Sequence, residues 1–292
     1  MKKTVTAVLV ILLLMSCVAC GGSSSGLGSY TSGLNSGSKS ESAEDSASTV
    51  PQQEEHVFEA CDGGYTLARC GSNYMNETVI EIPQEYEGAT VVAISNRAFE
   101  NCTTLEKVVI PDSVITIGGG AFMNCTALTE VVFGNGVQAI EGECFKGCTS
   151  LQEITIPAGV SEIRGNCFEG CFALKTISLH DGIVAIHGYA FVGCMSLEHI
   201  ELPKNITEVR GNTFQNCTAL EEIRIPEGVT RIAAHAFEGC SSLSDVVVPD
   251  SVEEIGSSAF RDCKSLKSIE IPKKASVDER AFKDSPTDVT RR

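Results

Sequence analysis

The stretch AFENCTTLEKVVIPDSVITIG, residues 98–118, is the unit on which most of the chain is built. Its phenylalanine, Phe99, recurs every 23 residues as far as Phe260, with a cysteine three positions later and a leucine three positions after that. A Val/Ile pattern follows the leucine, and a proline closes it in most copies. Columns that stay in phase over eight copies predict a solenoid, in which each unit stacks on the next.

Each unit predicts two extended segments and one turn. The LxxIxI segment is β-branched and alternates, which favours a short strand, and the proline after it ends the strand because it cannot donate to a ladder. Residues 114–117 predict a second extended stretch, and residues 118–125 have the Gly, Ala and Phe spacing of a short helical turn. One unit alone cannot bury its large side chains. We therefore expect the identical columns, including Phe282, to stack into one core.

Both ends of the repeat depart from the period, as capping units do. Residues 56–77 contain Asp62-Gly63-Gly64 between apolar stretches, which predicts a hairpin-like N-terminal cap. The solenoid is predicted over residues 78–285, where Ser285 replaces the last cysteine of its column. Residues 286–292 are predicted to be a polar tail.

The first 20 residues predict export. Two lysines precede an apolar run over residues 5–15, which is too short to span a bilayer, since spanning takes about 20 residues. The run ends in LMSCVACGGSSSG, which resembles a bacterial lipoprotein signal with its lipobox. The resemblance implies acylation of Cys17 or Cys20, and both assignments stay open. Ordinary secretion without a lipid is the alternative.

Residues 21–55 predict a disordered tether. From residue 21 to residue 50 the chain has eleven Ser and six Gly, with almost no large apolar side chains. Such a segment cannot bury enough surface to offset the entropy of ordering. We expect it to hold the folded part away from a membrane that is contacted through the N-terminal lipid only.

The composition excludes several classes of function. Acidic residues outnumber basic ones 38 to 22, which gives a formal charge of −16 that disfavours nucleic acid as a partner. The chain has no Trp and five Tyr, and nearly every Phe is assigned to the core, so a glycan ligand is less favoured than a protein. No nucleophile elbow, phosphate-binding loop or consistent carboxylate pair is present, so we predict neither an enzyme nor a cofactor.

The cysteine column from Cys102 to Cys263 permits two interpretations. Export allows disulfides, and neighbouring coils would place Cα atoms about 4.8 Å apart. In-register side chains point the same way, however, so we predict buried free thiols that act as small hydrophobes. The pairing of Cys61 with Cys70 stays open.

One group of cysteines has metal-ligand spacing: Cys144 and Cys148, with Cys167 and Cys171 one coil later. The first member of each pair only replaces the alanine that precedes the phenylalanine in other copies. We therefore predict packing and no metal, with zinc as the alternative. The five histidines show no ligand spacing and are predicted to be solvated: His56, His180, His187, His199 and His235.

The unit at 98–118 and its copies resemble the BspA-like, Treponema-type leucine-rich repeats of bacterial surface proteins. The resemblance covers nearly everything after the tether. It implies a leucine-rich-repeat right-handed β/α superhelix, mainly short parallel strands with short helical turns, frequent in adhesins and without catalytic residues. Gly134 and His180 depart from the pattern, because they stand where the strand-end proline is expected, and Phe133 is also unusual.

The outward side of the first strand is the candidate binding face. Like charges about 5 Å apart in neighbouring strands are mildly unfavourable. A bound partner on a concave strand face would explain them, and a solvated face needed for solubility is the alternative. The candidate residues are Lys107, Glu130, Glu153, Thr176, His199, Glu222 and Asp245 in one column, and Glu201 and Arg224 in the next.

These observations predict an exported, lipid-anchored protein on a bacterial cell surface. Its repeat face is expected to recognise an extracellular or surface protein ligand, in adhesion or recognition. A structural envelope scaffold or a self-associating surface protein is the alternative.

Overall fold

The computed structural model describes residues 56–71 and 76–292. The predicted signal peptide, both candidate lipid-anchor cysteines and the tether lie outside these residues. The described residues form one compact unit. The described ranges contain no α-helix, and accordingly no helix long and apolar enough to cross a bilayer.

The fold is a repeat solenoid of short strands, as the 23-residue period predicts. Most repeats contribute a first strand of about three residues and a second strand of two, and one repeat, at residues 199–201, has no first strand. The strands are, in chain order, β1 (Val57–Cys61), β2 (Gly64–Arg69), β3 (Val79–Glu81), β4 (Glu85–Tyr86), β5 (Ala89–Ile94), β6 (Lys107–Val109), β7 (Thr116–Ile117), β8 (Glu130–Val132), β9 (Ala139–Ile140), β10 (Glu153–Thr155), β11 (Glu162–Ile163), β12 (Thr176–Ser178), β13 (Ala185–Ile186), β14 (Glu208–Val209), β15 (Glu222–Arg224), β16 (Arg231–Ile232), β17 (Asp245–Val247), β18 (Glu254–Ile255), β19 (Ser268–Ile271), β20 (Ser276–Val277) and β21 (Asp288–Arg291).

The strands form two parallel ladders that run along the solenoid. Pairing follows the sequence period: Lys107 lies opposite Glu130 in the first ladder, and Thr116 lies opposite Ala139 in the second. The first ladder is divided into β3-β6-β8, β10-β12, β15-β17 and β19-β21. The second is divided after β9 and after β13. Two junctions are therefore open in both ladders, the one before β10 and the one after β13, and the first ladder is also open between β17 and β19.

The turns between coils form a third ladder of backbone hydrogen bonds. The prediction of a short helical turn at residues 118–125 is therefore wrong. The amides of Ala121 and Cys125 donate within their own coil, to the carbonyls three residues earlier, at 3.2 Å. The amides of Gly120 and Phe122 donate to the next coil, each at 2.9 Å. In a helix every amide would donate to a carbonyl of the same coil, whereas here every second amide donates to a carbonyl of the next coil.

Two residues in each turn have positive φ, which also interrupts a helix. One of these columns is filled by the residue types that tolerate the left-handed region best, as at Asn124 (φ 59°) and Gly147 (φ 74°). This Asn/Gly/Asp column directly precedes the cysteine column in the sequence. It is the signal from which consecutive turns could have been predicted. The turn ladder continues across the junctions where both strand ladders are open, as in the 2.9 Å bonds from Phe145 to Cys167 and from Phe191 to Thr213.

The phenylalanine column forms the centre of the core, as predicted. The rings from Phe99 to Phe260 are fully buried. Neighbouring rings are nearly parallel, with centroids 5.0 Å apart at Phe99 and Phe122 and 5.6 Å apart at Phe145 and Phe168. Phe282 ends the stack, 5.4 Å from Phe260.

The cysteine column is a ladder of hydrogen-bond donors. The thiol of Cys171 donates to the carbonyl of Phe145 at 3.1 Å, and the same bond recurs in each coil from Cys125 to Cys263. At the end of the column the hydroxyl of Ser285 donates to Phe260 at 2.7 Å, so serine keeps the bond that cysteine makes elsewhere. Cys70 is a buried free thiol and is not bonded to Cys61.

We expect the buried thiols to resist alkylation in the folded chain, and Cys167, which lies outside the ladder directly before Phe168, is a suitable reporter. Burial raises the pKa of the Cys167 thiol to about 12, so about one thiol in 10,000 is ionised at pH 8. Mass spectrometry after iodoacetamide treatment should find Cys167 unmodified in buffer and modified in concentrated urea. Resistance that persists in urea and disappears only after reduction would show a disulfide instead.

The N-terminal cap is the predicted hairpin. Strands β1 and β2 pair antiparallel around the turn, with Cys61 opposite Gly64. The ring of His56 lies edge-on to Phe99, with centroids 6.1 Å apart, and covers the start of the phenylalanine stack. The amide of Gly71 donates to its Nδ1 at 3.3 Å. His56 is therefore a half-buried part of the cap, and the prediction that it is solvated is wrong.

The cap should lose stability in acid. Burial lowers the pKa of His56 below 6.5, so the folded state favours the neutral ring. Its contribution is present above pH 6.5 and is lost as the pH falls through the folded-state value. The protection factors of the β1 and β2 amides, which are corrected for the intrinsic exchange rate at each pH, should fall over that range in the parent chain and change less in a His56→Phe variant. Equal pH dependence in both chains would assign the effect to another group.

The C-terminal residues 286–292, predicted as a polar tail, contribute the last strand. Strand β21 pairs in parallel with β19. The Arg292 guanidinium donates to the carbonyl of Val248 at 2.6 Å and lies 3.0 Å from the Asp250 carboxylate. These bonds fix the polar residues against the final coil, because their charged side chains reach acceptors in the preceding repeats.

Candidate functional site

The predicted binding residues lie on one face, which we call the strand face, formed by the outward side chains of the first ladder and of residues 199–201. Alternate residues of each strand point into the core, as Ile154 and Ile223 do, and the residues between them point outward. Register brings Glu153 opposite Thr176, and Glu222 opposite Asp245. All nine predicted residues are exposed except Lys107, which is half-buried.

Opposite charges relieve part of the repulsion on this face. The Lys107 ammonium lies 2.8 Å from the Glu130 carboxylate, and His199 lies 4.0 Å from Glu222. These pairs are exposed, and such pairs contribute little stability. The other charged candidates make no ion pair with the residues that the structure describes: Glu153, Glu201, Arg224 and Asp245.

The strand face is interrupted where the first ladder is open. Between β6 and β8 the amide of Thr129 donates to Glu106, and that of Ile110 donates to Val132, both at 2.8 Å. Between β8 and β10 the described backbone shows neither of the equivalent bonds, from Gln152 to Thr129 and from Phe133 to Thr155. Residues 199–201 form no strand at all. Backbone acceptors are thus left open on the face.

Two depressions lie at these interruptions. The first depression, about 450 Å³, lies over the gap between β8 and β10. The second depression, about 850 Å³, lies over residues 199–201 and β15. The first includes Glu130, Val131, Phe133, Gly134, Glu153, Thr155, Pro157, Thr176 and Ser178, and the second includes His199, Glu201, Leu202, Lys204, Glu222, Arg224, Pro226, Glu227 and Val247.

The two departures from the repeat pattern at Phe133 and Gly134 belong to the first depression. A Cβ on Gly134 would lie 2.4 Å from the carbonyl carbon and oxygen of Pro111, so no larger residue fits this close approach. Phe133 is half-buried and meets the core ring of Phe145 edge-on at 6.2 Å. The aromatic ring of Phe133 therefore forms part of one wall of the depression, and Gly134 lines it beside the ring.

The second depression combines both signs of charge. Glu201, Glu222 and Glu227 line it together with His199 and Arg224. Lys204 also lines it, although its ammonium already pairs with Asp181 at 2.8 Å. Leu202, Ile225 and Pro226 supply apolar surface. Such a surface suits a protein partner, since protein interfaces combine apolar contact with polar groups.

Four of the five histidine rings are partly buried and contact other residues of the chain, so the prediction that they are solvated is wrong for these four. His199 is the one exposed histidine. His180, at a missing proline, contacts the carbonyl of Pro157 at 3.0 Å. His235 lies 2.7 Å from Glu238. The half-buried His187 accepts from Arg210 through Nδ1 at 2.8 Å and donates to Glu162 through Nε2 at 3.0 Å.

The contacts of His187 belong to a polar network along the second ladder. Arg164 contacts Glu162 at 2.8 Å and Glu141 at 3.8 Å, and Arg210 contacts Glu208 at 2.8 Å. The network therefore crosses both openings of this ladder with side-chain contacts. The sequence signal is the column Glu141, Arg164, His187 and Arg210, in which polar and charged groups recur at the repeat period.

The paired cysteines do not form a metal centre. No group of three or more His, Cys, Asp or Glu among residues 56–71 and 76–292 has the arrangement of a metal site. Cys144 and Cys167 are buried, and the thiols of Cys148 and Cys171 are directed to carbonyl oxygens.

Comparison with solved structures finds bacterial leucine-rich repeat proteins. A T. pallidum leucine-rich repeat protein is 25% identical over 73% of this chain and 88% of that chain, with a TM-score of 0.52. A leucine-rich cell surface protein from Faecalibacterium prausnitzii A2-165 is 26% identical over 81% of this chain and 87% of that chain, with a TM-score of 0.49. A leucine-rich repeat protein from Bacteroides capillosus ATCC 29799 is 35% identical over 44% of this chain and 95% of that chain, with a TM-score of 0.39.

The family comparison covers the whole solenoid. A search of curated proteins finds no match. The family model described as the BspA type leucine rich repeat region matches six copies, over residues 73–194 and 162–287. Since these residues make up well over half of the sequence and coincide with the stacked coils, the chain belongs to the BspA-type leucine-rich repeat family.

Proposed function

We propose that this chain is an exported, lipid-anchored protein of the bacterial cell surface that binds a protein ligand through its strand face, as an adhesin or recognition module. The protein acts by binding and not by catalysis. The observation that carries the proposal is the interrupted first ladder, which opens two depressions on the face where exposed charged columns stand in register. Extended solenoid faces are typical binding surfaces.

Several features support this role over that of a solvated face. Solubility needs exposed charge, but it does not need open backbone acceptors or an aromatic wall beside them. Exposed apolar side chains also lie on the face, as at Val132 and Val247. The lipobox resemblance supports anchoring at Cys17 or Cys20, since acylation would hold the repeats at a membrane surface.

The test is a binding screen with the full chain against immobilised extracellular matrix proteins and bacterial surface proteins. A strand-face variant changes Glu130, Glu153, Glu222 and Asp245 to Ser. A matched control changes four exposed carboxylates elsewhere, Glu59, Glu77, Glu253 and Glu279, to Ser. We expect the parent chain to show saturable binding. The strand-face variant should bind with a Kd at least about tenfold higher, and the control variant should keep the Kd of the parent.

Two outcomes would contradict the proposal. A folded parent chain that binds no protein in the screen would remove the adhesin role for the proteins tested. Equal losses in both variants would show that binding follows net charge and not the strand face. Metabolic labelling with a radioactive fatty acid, with Cys17→Ala and Cys20→Ala variants, tests the anchor, and labelling that survives in both variants would contradict it.

A structural scaffold is the second candidate, and the C-terminal end of the solenoid favours it. A depression of about 600 Å³ lies there, lined by Val277, Phe282 and Val289. Asp278, Glu279, Arg280 and Lys283 surround this apolar surface. Two copies could thus meet end to end, with opposite charges paired.

Sedimentation velocity separates the two candidates. A scaffold should associate with rising concentration, and a Val289→Lys change at this exposed position should abolish the association. A chain that stays monomeric at high concentration leaves the binding module as the function.

A further inference from the structure

We propose that the first depression binds an arginine side chain, presented by an extended segment of the partner protein. The inference rests on the proposed function and names the chemistry of its partner. Three independent features of the gap between β8 and β10 carry it: the charge of its lining, its open backbone acceptors and its aromatic wall.

The lining of the first depression is acidic and holds no cation. Thirteen residues surround it, including Glu130 and Glu153 and no Lys, Arg or His. Glu130 is already paired with Lys107, while Glu153 makes no ion pair with any described residue. The Glu153 carboxylate is therefore available to a cation of the partner, and the chain's formal charge of −16 attracts a basic segment from a distance.

The open ladder supplies further acceptors. At the intact junction before β8, the carbonyls of Glu106 and Val132 each accept an amide of the neighbouring coil at 2.8 Å. The equivalent carbonyls at the gap, of Thr129 and Thr155, accept no amide across it within the described backbone. Both residues line the depression. A guanidinium carries five N–H donors in a plane, which suits a site with one carboxylate and several carbonyl oxygens.

The aromatic wall distinguishes arginine from other cations. Phe133 is the one aromatic residue in a column of Ile, Leu and Val, and it lines the depression. Guanidinium groups stack on aromatic rings and are more weakly hydrated than ammonium groups. The volume of about 450 Å³ accommodates an extended side chain. The second depression is lined by Arg224 and Lys204, whose positive charges would repel a guanidinium group.

The experiment uses the full chain and a fluorescein-labelled nine-residue peptide that alternates threonine with arginine. Its twin carries citrulline, which keeps the shape of arginine and removes the charge. Fluorescence anisotropy should show saturable binding of the arginine peptide and about tenfold weaker binding of the citrulline peptide.

Three variants map the site. Glu153→Gln should raise the Kd of the arginine peptide about tenfold, and Phe133→Leu, the residue type at positions 179 and 202, should raise it about threefold. Glu59→Gln removes an equal charge from the cap and should leave Kd unchanged. Urea unfolding of each variant confirms that the fold is retained.

Each other outcome overturns the inference. No binding of the arginine peptide, equal binding of both peptides, or equal losses in Glu153→Gln and Glu59→Gln would all exclude a built arginine site. The proposed function is judged separately by the protein screen. A partner that is lost with Glu201→Gln and Arg224→Ser and retained with Glu153→Gln would leave the function standing and remove the arginine site.

Discussion

A Phe168→Ala chain should be about 3–5 kcal/mol less stable than the parent, because the change leaves a cavity at the centre of the core. The ring is fully buried between Phe145 and Phe191, whose centroids lie 5.6 and 5.5 Å away. Its loss removes two stacking contacts at once. Urea unfolding followed by circular dichroism measures the difference in the free energy of unfolding.

The position of Phe168 gives the change a second expected effect. The coils that contain β10 and β12 lie between the two junctions at which both strand ladders are open. The turn bonds and the phenylalanine stack continue across those junctions, with the thiol bonds and the side-chain contacts of the polar network, but without the strand pairing present elsewhere. Since coils of a solenoid are coupled through their neighbours alone, the variant should unfold in two steps or with a lower m-value.

Phe172 provides a matched control four residues away. Its side chain is 47% exposed and lies outside the stack. A Phe172→Ala change should alter the free energy of unfolding by less than about 0.5 kcal/mol. Similar losses at both positions would show that general hydrophobic content, and not the stack, determines stability.

The 23-residue period predicts the fold because burial enforces it. A phenylalanine that moved out of its column would lose its ring partners, and a strand that slipped by one residue would turn its buried Ile outward. Register, core and the N-terminal hairpin therefore follow from the sequence. The turns were missed because helical spacing alone does not show that every second amide donates to the next coil.

The candidate site was predicted in part. The columns that contain Glu153 and Arg224 could be placed on one face from strand alternation alone. The depressions could not, since they depend on which neighbouring coils are close enough for backbone bonds. Phe133 and Gly134 were visible as departures from the repeat. Their structural effect depends on the close approach of Gly134 to Pro111, and the spacing of residues in the sequence does not reveal that approach.

The glycines four residues after the end of the first strand test how tightly these coils approach. Gly136 and Gly228 occupy the same column, and neither has a positive φ. A Cβ on Gly136 would lie 2.0 Å from the carbonyl oxygen of Asp112, which is backbone and cannot rotate away. A Cβ on Gly228 would lie 3.4 Å from the carbonyl oxygen of Ile206, which is ordinary contact.

We therefore expect Gly136→Ala to destabilise the chain by about 3 kcal/mol, through overpacking against rigid backbone. Gly228→Ala should change the free energy of unfolding by less than about 1 kcal/mol, because its added methyl group restricts the unfolded chain without a clash. The amide of Asn135 donates to the Asp112 carboxylate at 2.7 Å, which holds the two loops together at the crowded position. Urea unfolding of the two variants, measured side by side, gives the difference.

The Gly136→Ala and Gly228→Ala variants also connect stability to peptide binding at the first depression. Gly134 and Asn135 line this depression. A shift of their loop away from Asp112 should therefore weaken binding of the arginine peptide to the Gly136→Ala chain. Binding to the Gly228→Ala chain should be unchanged. Equal stability of the two variants would mean that the coils at Asp112 and Gly136 can separate freely. In that case the loop of Gly134 and Asn135 would not be held in place by packing, and the depression would lack the rigid lining on which selective binding depends.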